Sequence, residues 1–236
     1  MFTESAELYD LIYSSFKDYE AESAAIAKLI RDAHPHAKSI LDVACGSAEH
    51  ARLLTGKHGF DVDGLDRDPT FVRIAREKLG DAKVFEGDMT SFSLPRHYDV
   101  VQCLFSSIGY VRTLDNVQRT LHRFVAHLAP DGIVLVEPWF APGVLQAGRI
   151  SINTAESPAV RVARMAHTEV DGRMSRIRFE YLIGRPTGIE RAAEVHELGL
   201  FTTEEMLDFF EQAGLHVTHD TTGVDGRGMF LGRVSS

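Results

Sequence analysis

The 236-residue sequence predicts an α/β protein with a doubly wound, mostly parallel sheet, an antiparallel final strand and an inserted three-stranded antiparallel lid. Over residues 1–140, short apolar runs alternate with amphipathic stretches, which favours a parallel sheet covered by helices on both faces. Residues 159–200 change to β-rich segments separated by turn sequences. We therefore expect residues 1–140 and 200–236 to form the ligand-binding domain and residues 141–199 to form the lid over its pocket.

The elements of the α/β part each carry local signals. Residues 1–35 have a helical pattern with a broad apolar face over residues 20–31, and Pro35 ends it. Asp68-Pro69 supplies an N-cap followed by proline, a common helix start, and Gly59 follows the end of an earlier helix. The predicted strands cover residues 39–45, 61–65, 83–86, 98–104 and 133–137, and the predicted helices cover residues 48–57, 68–79 and 115–128.

The rest of the chain predicts the lid and the end of the sheet. Asp171-Gly172 lies between two β-rich segments, and Asp-Gly at such a position is a strong hairpin signal. A second turn at 186–188 separates the next two segments, so we expect three antiparallel strands. A Thr-x-x-Glu capping box at 202–205 begins a helix. Two last strands, at 215–221 and 228–234, would close the sheet as an antiparallel hairpin.

Composition restricts the classes of function. The chain has 25 Lys and Arg against 34 Asp and Glu, and a net charge of −9 argues against binding a phosphate backbone. Two cysteines make no disulfide framework, and no Cys/His cluster has zinc-finger spacing, so we expect no metal. No apolar run approaches the ~20 residues of a membrane span, and the first residues lack a signal-peptide pattern. We expect a cytoplasmic protein with a small-molecule substrate, no nucleic-acid or membrane partner, and a possible homodimer.

Polar residues follow three successive predicted strands, at the edge where open α/β sheets bind ligands. Asp42 and Gly46 lie in the run 41–48, whose small residues admit a ligand close to the backbone. Only Gly46 matches the glycines of an NAD fingerprint, so a dinucleotide fits poorly. Asp66 is placed to accept from both hydroxyls of a ribose, and Asp88-Met89 can bind an exocyclic amine and a ring nitrogen. These positions describe an adenosine joined to an amino acid.

This set of residues resembles the class I S-adenosylmethionine (SAM) methyltransferases, which have a Rossmann-like fold. One departure is that the family's usual G-x-G-x-G stands here as Ala-Cys-Gly-Ser-Ala. The resemblance implies SAM as the cofactor, with Asp42 orienting the loop or accepting from the methionine ammonium. It also implies that Asp66 binds the ribose and that Asp88 and Met89 bind the adenine.

A narrower resemblance extends over nearly the whole chain, to the N,N-dimethyltransferases of nucleotide-linked aminosugars that make the dimethylamino sugars of macrolide antibiotics. It is carried by the segments AELYD (6–10), KDY (17–19), LDVACG (41–46), GDM (87–89), FSSIG (105–109), VEPW (136–139) and GRG (226–228). It implies methylation of the amine of a thymidine-diphosphate sugar held against SAM beneath the lid. The expected cofactor-binding residues are Tyr9, Tyr19, Asp42, Ala44, Gly46, Asp66, Arg67, Asp88, Met89 and Leu104. The expected substrate-binding residues are Ser106, Ser107, Trp139, His167, His196 and Arg227.

Two residues are candidates for catalysis. Tyr110 stands where the aminosugar enzymes carry histidine, and a phenol with an ordinary pKa of about 10 suits positioning the amine better than accepting its proton. Glu137 either orients the amine or accepts hydrogen bonds from local backbone. Methyl transfer from a sulfonium is an in-line displacement with a good leaving group, so once the amine is neutral the enzyme mainly has to hold the reacting atoms in line, and the use of a general base stays open. Tyr110 also leaves open N- or O-methylation of another small metabolite, and a SAM-binding module without catalysis is the alternative of a different class.

Several interpretations stay open at this point. Trp139 belongs to the core or to the pocket wall, and His167 and His196 line the lid cavity or pack across strands. The arginines of the lid either form a solvated strand face or attract a diphosphate; they are Arg161, Arg164, Arg173, Arg176 and Arg178. His127 is expected to be a solvated histidine at the C-terminal end of its helix, where the helix dipole favours it.

Overall fold

The computed structural model describes residues 6–80 and 83–234, which form eleven strands and six α-helices. The strands are β1 (Ser39–Val43), β2 (Asp61–Asp66), β3 (Val84–Glu86), β4 (Tyr98–Cys103), β5 (Leu128–Val136), β6 (Ile150–Glu156), β7 (Arg161–Asp171), β8 (Met174–Arg185), β9 (Gly188–Gly199), β10 (Leu215–Asp220) and β11 (Met229–Val234). The helices are α1 (Tyr9–Tyr13), α2 (Tyr19–Ala33), α3 (Glu49–His58), α4 (Pro69–Leu79), α5 (Leu114–Val125) and α6 (Thr203–Gln212), with 3₁₀ turns at Ala6–Leu8 and Ser107–Val111.

Seven strands form one sheet in the order β10-β11-β5-β4-β1-β2-β3. Neighbouring strands are parallel except β11, which is antiparallel to both β5 and β10. The predicted doubly wound sheet with an antiparallel final strand is therefore confirmed. The chain runs outward from β1 to β3 and then returns to the other side of β1 as β4. Open sheets bind ligands beside such a reversal, at the carboxyl ends of the strands.

The sheet separates two apolar clusters. Val100 and Val101 are adjacent and fully buried, yet they belong to opposite clusters because neighbouring residues of a strand point to opposite faces. Phe124 of α5 and Phe210 of α6 cover one face. Helices α2, α3 and α4 cover the other face. Strands buried on both sides require continuous apolar sequence, which explains why their positions are readable from the sequence.

Helix ends follow the capping signals closely. Asp68 accepts from the N–H of Thr70 at 2.9 Å and is followed by proline at the start of α4. Thr202 and Glu205 form a capping box at α6, as predicted. The expected helical segment at the N-terminus is two separate helices, because α1 ends at Tyr13 and Asp18 caps α2. Residues 1–5 of that prediction lie outside the described residues. Among the helices described, none is long and apolar enough to cross a membrane.

The lid is a separate antiparallel sheet of four strands in the order β6-β7-β8-β9, where the sequence predicts three. The additional strand is β6, an edge strand that pairs only with β7. Its burial pattern has one buried residue in seven, so it lacks the apolar alternation that reveals a strand in sequence. Exposed apolar residues, including Ile150 and Ile152, lie on its outer side.

The transition from α5 to β5 also differs from the prediction. Helix α5 ends at Val125 and β5 begins at Leu128, whereas the sequence predicts a helix to residue 128 and a strand from residue 133. Asp131 adopts a φ of +63°, and a Cβ on Gly132 would lie 2.9 Å from the carbonyl oxygen of Ala129. The Pro-Asp-Gly sequence therefore bends the strand instead of ending the helix.

His127 lies in the turn between α5 and β5 and is 2% exposed, so the expectation of a solvated histidine is wrong. Its Nε2 accepts from the N–H of Leu94 at 2.9 Å, which leaves the proton on Nδ1, 2.6 Å from the carbonyl oxygen of Arg123. The ring stacks on Phe92 with centroids 4.4 Å apart. Burial lowers the pKa of His127, consistent with a neutral side chain that holds the loop before β4.

Candidate active site

Three adjoining cavities lie where the carboxyl ends of the parallel strands meet the lid. The sheet-edge cleft, with about 700 Å³ of empty space, is lined by Tyr9, Ala44, Gly46, Leu65, Asp66, Arg67, Asp68, Phe71, Gly87, Met89, Ser107 and Tyr110. The loop cleft is lined by Tyr9, Tyr19, Asp42, Ala44, Cys45, Gly46, Ser47, Glu49, His50, Leu104, Phe105 and Ser107. The lid cavity, with about 1100 Å³, lies between α1, the segment 105–110 and the lid.

Shared lining residues connect these cavities. Tyr9 and Ser107 line all three, and Tyr110 lines both the sheet-edge cleft and the lid cavity. Gly109 lets the segment before Tyr110 approach the lid, because a Cβ there would lie 3.0 Å from Leu198 and 3.2 Å from Trp139. A ligand lying along the two clefts therefore meets the contents of the lid cavity beside Tyr9, Ser107 and Tyr110.

The loop after β1 is shaped to hold an anionic group. Ala44, Gly46 and Ala48 all have positive φ values between 56° and 60°, and a Cβ on Gly46 would have no atom within 4 Å. Helix α3 begins at Glu49 without a side-chain cap, unlike helices α2, α4, α5 and α6. Glu49 and His50, the first residues of α3, line the loop cleft. Uncapped N–H groups at a helix start favour a carboxylate there.

Asp66 joins the loops that follow β1 and β2. Its carboxylate accepts from the N–H of Gly46 at 2.8 Å and from the N–H of Asp68 at 2.9 Å. The side chain is buried, and burial raises its pKa despite these two hydrogen bonds. Asp66 therefore fixes the backbone of the loop and faces the sheet-edge cleft, where it can accept from a hydroxyl of a ligand.

Asp42, the residue before the last of β1, lines the loop cleft. Its Oδ1 accepts from Nε2 of Gln102 at 3.1 Å, and it is almost fully buried. Burial raises the pKa of Asp42 to about 6, and the bond from Gln102 opposes that rise. A buried carboxylate at this position favours a cationic ligand group, whose charge would compensate the burial.

Asp88 lies at the rim of the sheet-edge cleft and is not among its lining residues, whereas its neighbours Gly87 and Met89 are. Oδ1 of Asp88 accepts from the N–H of Thr90 at 2.8 Å and from its hydroxyl at 2.7 Å. Its Oδ2 lies 3.8 Å from Arg67. Contact of Asp88 with an adenine amine therefore stays a prediction.

Helix α1 is fastened over the clefts and positions Tyr9. Asp10 accepts from the hydroxyl of Ser47 and from Nζ of Lys78, the latter at 2.6 Å. The ring of Tyr9 packs edge-on against Phe71, with centroids 5.1 Å apart. These contacts connect the helix to the loop after β1 and to α4, so Tyr9 forms a shared wall of the three cavities.

The lid cavity is cationic and aromatic. Three arginines line it, Arg149, Arg164 and Arg227, and no Asp or Glu of the described residues does. Arg164 is 4% exposed, and its carbon Cζ lies 4.9 Å from the ring centre of Tyr13 and 4.7 Å from that of Phe179. One nitrogen donates to Oδ1 of Asn153 at 3.0 Å, and no carboxylate of the described residues forms an ion pair with Arg164.

Glu137 accepts a hydrogen bond from the local backbone, which is the second of the two roles that the sequence left open for it. Its Oε2 accepts from the N–H of Phe105 at 2.7 Å, and its Oε1 accepts from Arg227 at 2.8 Å. The residue is not among those lining the lid cavity. Phe105 and Ser106 both have positive φ, and the hydroxyl of Ser106 donates to the carbonyl of Pro138 at 2.6 Å. Glu137 and Ser106 therefore stabilise a strained turn, and neither is among the residues that line the lid cavity.

Replacing Glu137 with glutamine is expected to lower the free energy of unfolding by about 1–3 kcal/mol, because Arg227 loses a buried ionised partner. Arg227 keeps its ion pair with Asp225, and the amide oxygen can still accept from Phe105. Calorimetry should show a lower melting temperature, while kcat of the E137Q variant stays within a few-fold of the native value. A native melting temperature with a strongly reduced kcat would instead favour the orientation of a substrate amine.

The two lid histidines have different surroundings. His196 is 1% exposed and lines the lid cavity, and its Nδ1 lies 2.8 Å from the hydroxyl oxygen of Tyr110. His167 lies on the outer face of the same sheet with its side chain 45% exposed, 3.9 Å from Glu169. Ala166 and Thr168, on either side of His167, line the cavity. The structure therefore does not bring His167 to the site.

The structure places most of the expected site residues at these cavities. Trp139 and Arg227 line the lid cavity, and Tyr19 and Leu104 line the loop cleft. Four of the expected site residues line none of the three cavities: Asp88, Ser106, Glu137 and His167. The sequence analysis does not name Tyr13, Phe16, Phe105, Arg149 or Phe179 as site residues, although all five line the lid cavity. The sequence contained a pattern that places Arg164 in the cavity, because Arg164 alternates with Val162 and Ala166 along the buried face of β7.

Known proteins are similar to this chain in both sequence and fold. A family described as a methyltransferase domain matches residues 40–132. A dTDP-3-amino-3,6-dideoxy-alpha-D-glucopyranose N,N-dimethyltransferase from Streptomyces fradiae is 41% identical, covering 97% of this chain and 90% of that protein. The crystal structure of DesVI from Streptomyces venezuelae superposes with a TM-score of 0.93 at 36% identity, over 98% of this chain and 99% of that one. SAM-bound CalS10, an amino pentose methyltransferase from Micromonospora echinaspora, superposes with a TM-score of 0.87 at 30% identity, over 97% of each chain.

Proposed function

The chain belongs to the family of SAM-dependent methyltransferases that contains the dTDP-aminosugar N,N-dimethyltransferases, and from this membership we propose that it methylates the amino group of a sugar attached to thymidine diphosphate. The observation that carries the choice of substrate is Arg164, a buried guanidinium that forms no ion pair with a described carboxylate and lines a cavity without acidic lining residues. A buried cation requires an anionic partner, and a diphosphate supplies one.

The two clefts fit SAM group by group. The uncapped start of α3 would hold the carboxylate of its methionine part, and Asp42 would hold the ammonium. Asp66 would accept from the ribose, and Leu65, Phe71 and Met89 provide apolar walls for the adenine. When bound, SAM supplies a methyl group on a sulfonium, whose sulfur leaves as a neutral thioether. The protein contributes position and the exclusion of water.

The lid cavity fits the other substrate. Arg149 and Arg164 lie on the lid side and would bind phosphate oxygens, while Phe16 and Phe140 provide aromatic surfaces against which a nucleobase can pack. Its empty space of about 1100 Å³ includes the opening to solvent, and a nucleotide sugar would enter from there. The amine would then lie at the junction of the cavities, beside Tyr9, Ser107 and Tyr110. Holding amine, methyl carbon and sulfur in line accounts for most of the acceleration that such a displacement needs.

The proposal is tested by incubating the enzyme with SAM and a thymidine-diphosphate 3-aminosugar and measuring product masses. We expect the gain of one and then two methyl groups. The same sugar without its diphosphate should react poorly, because Arg149 and Arg164 would lose their ligand. A thymidine-diphosphate sugar with a hydroxyl in place of the amine should not react. No product from the aminosugar, with turnover of an unrelated amine or hydroxyl, would contradict the proposed substrate and leave the methyltransferase assignment intact.

Binding of SAM is expected to depend on pH through Asp42. The pKa of Asp42 is raised from 3.8 to about 6, so the carboxylate is ionised at pH 7 and largely protonated at pH 5. Only the ionised form attracts the ammonium of SAM, so affinity should rise roughly tenfold from pH 5 to pH 7, with proton release on binding near pH 6. Calorimetry in buffers of different ionisation enthalpy measures both quantities.

The Asp42→Asn variant is the control, because it keeps the hydrogen bond from Gln102 and cannot ionise. Its SAM affinity should lack the step near pH 6. In the free native protein the raised pKa has the opposite consequence, since the contribution of Asp42 to stability is lost as the pH rises through about 6. An affinity of the native enzyme that is constant from pH 5 to pH 7 would contradict the placement of the ammonium.

A further inference from the structure

A row of polar side chains leads from the junction of the cavities into the lid. The hydroxyl oxygen of Tyr110 lies 2.8 Å from Nδ1 of His196, and Nε2 of the same ring lies 3.4 Å from Oε1 of Glu194. Oε1 of Glu194 also accepts from the hydroxyl of Tyr181. His196, Glu194 and Tyr181 are at most 9% exposed. Ionisable groups in contact this far from solvent are placed to exchange protons with each other.

The protonation states of Tyr110 and His196 determine in which direction a proton can move along this row of side chains. Burial raises the pKa of Tyr110 far above its ordinary value and lowers that of His196, so at neutral pH the phenol keeps its proton and the imidazole is neutral. Tyr110 therefore donates to Nδ1, and the ring proton lies on Nε2, towards Glu194. Glu194 favours the charged imidazolium, and Arg164 of β7 opposes it. Tyr181 faces the same carboxylate.

We propose that Tyr110, His196 and Glu194 form a relay that takes the proton from the amine of the substrate. This rests on the proposed function, since a substrate ammonium must lose a proton before it can attack. An N–H bond of the ammonium breaks and its proton joins the oxygen of Tyr110, as the former proton of Tyr110 moves to Nδ1 of His196. The electron pair of the broken bond stays on nitrogen. The carboxylate of Glu194 balances the imidazolium, which loses its proton to solvent when the cavity empties.

Each methylation releases one proton, and a second methylation requires a neutral monomethylamine, so the relay would operate before each transfer. Tyr110 touches the substrate in this scheme. His196 acts through Tyr110, as a positioning residue that also receives the proton. In this scheme the function of Tyr110 depends on His196, a lid residue 86 positions later in the chain.

The relay is tested with His196→Asn, whose side-chain oxygen can accept from Tyr110 near the place of Nδ1 but cannot take a proton. We expect kcat at pH 7 to fall about 100-fold with KM for both substrates little changed. Tyr110→Phe should lose a similar factor, and the double variant should be no slower than either single variant, because both interrupt one path. Both losses should shrink above about pH 9, where the amine is neutral without help. His216→Asn is the control, because His216 is exposed on β10, and this variant should keep the native kcat.

Native kcat in H196N, losses that multiply in the double variant, or losses equal at all pH values would overturn the relay. A second measurement needs no acceptor substrate. ¹⁵N NMR of the histidine rings, with the signal of His196 identified from its absence in H196N, should show the Nε2–H tautomer at pH 7 and a shift of Nδ1 in Y110F. An Nδ1–H tautomer or an imidazolium at pH 7 would overturn the relay, whereas failure to methylate any aminosugar would overturn the proposed function.

Discussion

Replacing Asp66 with alanine is expected to weaken SAM binding by about 1.5–3 kcal/mol, roughly 10- to 150-fold. Two losses combine in this variant. The ribose loses a charged acceptor, and the N–H groups of Gly46 and Asp68 lose the carboxylate that holds the two loops together. Isothermal titration with SAM measures the effect directly, and the binding of thymidine diphosphate should be unaffected because the lid cavity does not include Asp66.

Asp61→Ala is the matched control for this experiment. Asp61 lies at the opposite end of the same strand, is exposed, and pairs with Lys83 and Arg96 at the surface. Surface ion pairs contribute little, so the control should bind SAM with native affinity. Native affinity in the D66A variant, with the fold intact by circular dichroism, would reject the assignment of the ribose to Asp66.

Replacing Arg164 with methionine is expected to weaken the binding of the thymidine-diphosphate sugar roughly 100-fold, through the loss of one or two charge-assisted hydrogen bonds. The same change should leave the melting temperature unchanged or higher. The guanidinium is buried without an ionised partner among the described residues, which costs folding free energy, and methionine can pack against Tyr13 and Phe179. Loss of function without loss of stability distinguishes a ligand-binding residue from a structural one.

Arg161→Met serves as the control, because Arg161 lies three residues earlier on β7 with its side chain 82% exposed. Titration with thymidine diphosphate should give native affinity for R161M and weak binding for R164M, with native SAM affinity in both. If R164M is strongly destabilised and still binds thymidine diphosphate normally, then Arg164 supports the lid and does not bind a phosphate.

The parallel sheet could be predicted because its strands are buried on both faces and its helices carry capping residues. Val100 and Val101 must both be apolar, and Asp68 and Thr202 must both cap, so these features leave a pattern in the sequence. Strand β6 could not be predicted in the same way. It covers one side of a cavity, and its other side is exposed, so no core requires a periodic apolar pattern there.

The residues proposed to bind the cofactor at the sheet edge could be singled out because they lie at strand ends, where the order of the sheet determines their neighbours. The roles of lid residues depend on which face of a strand they occupy, and on contacts across long stretches of chain. The sequence does not distinguish His167 from His196, yet His167 lies on the outer face of the lid and His196 contacts Tyr110. Glu137 follows a buried strand as a catalytic carboxylate would, but one of its oxygens accepts from the N–H of Phe105 in the strained turn and the other accepts from Arg227.

A crystal structure with S-adenosylhomocysteine and a thymidine-diphosphate aminosugar tests the central claim most directly. We expect the amino-acid end of the cofactor product at Asp42 and the start of α3, its ribose at Asp66 and its adenine beside Met89. The diphosphate should contact Arg164, with the amine beside Tyr110 and facing the sulfur. Density for a pyrophosphate in the loop after β1, or a nucleotide sugar bound away from the lid cavity, would contradict the account.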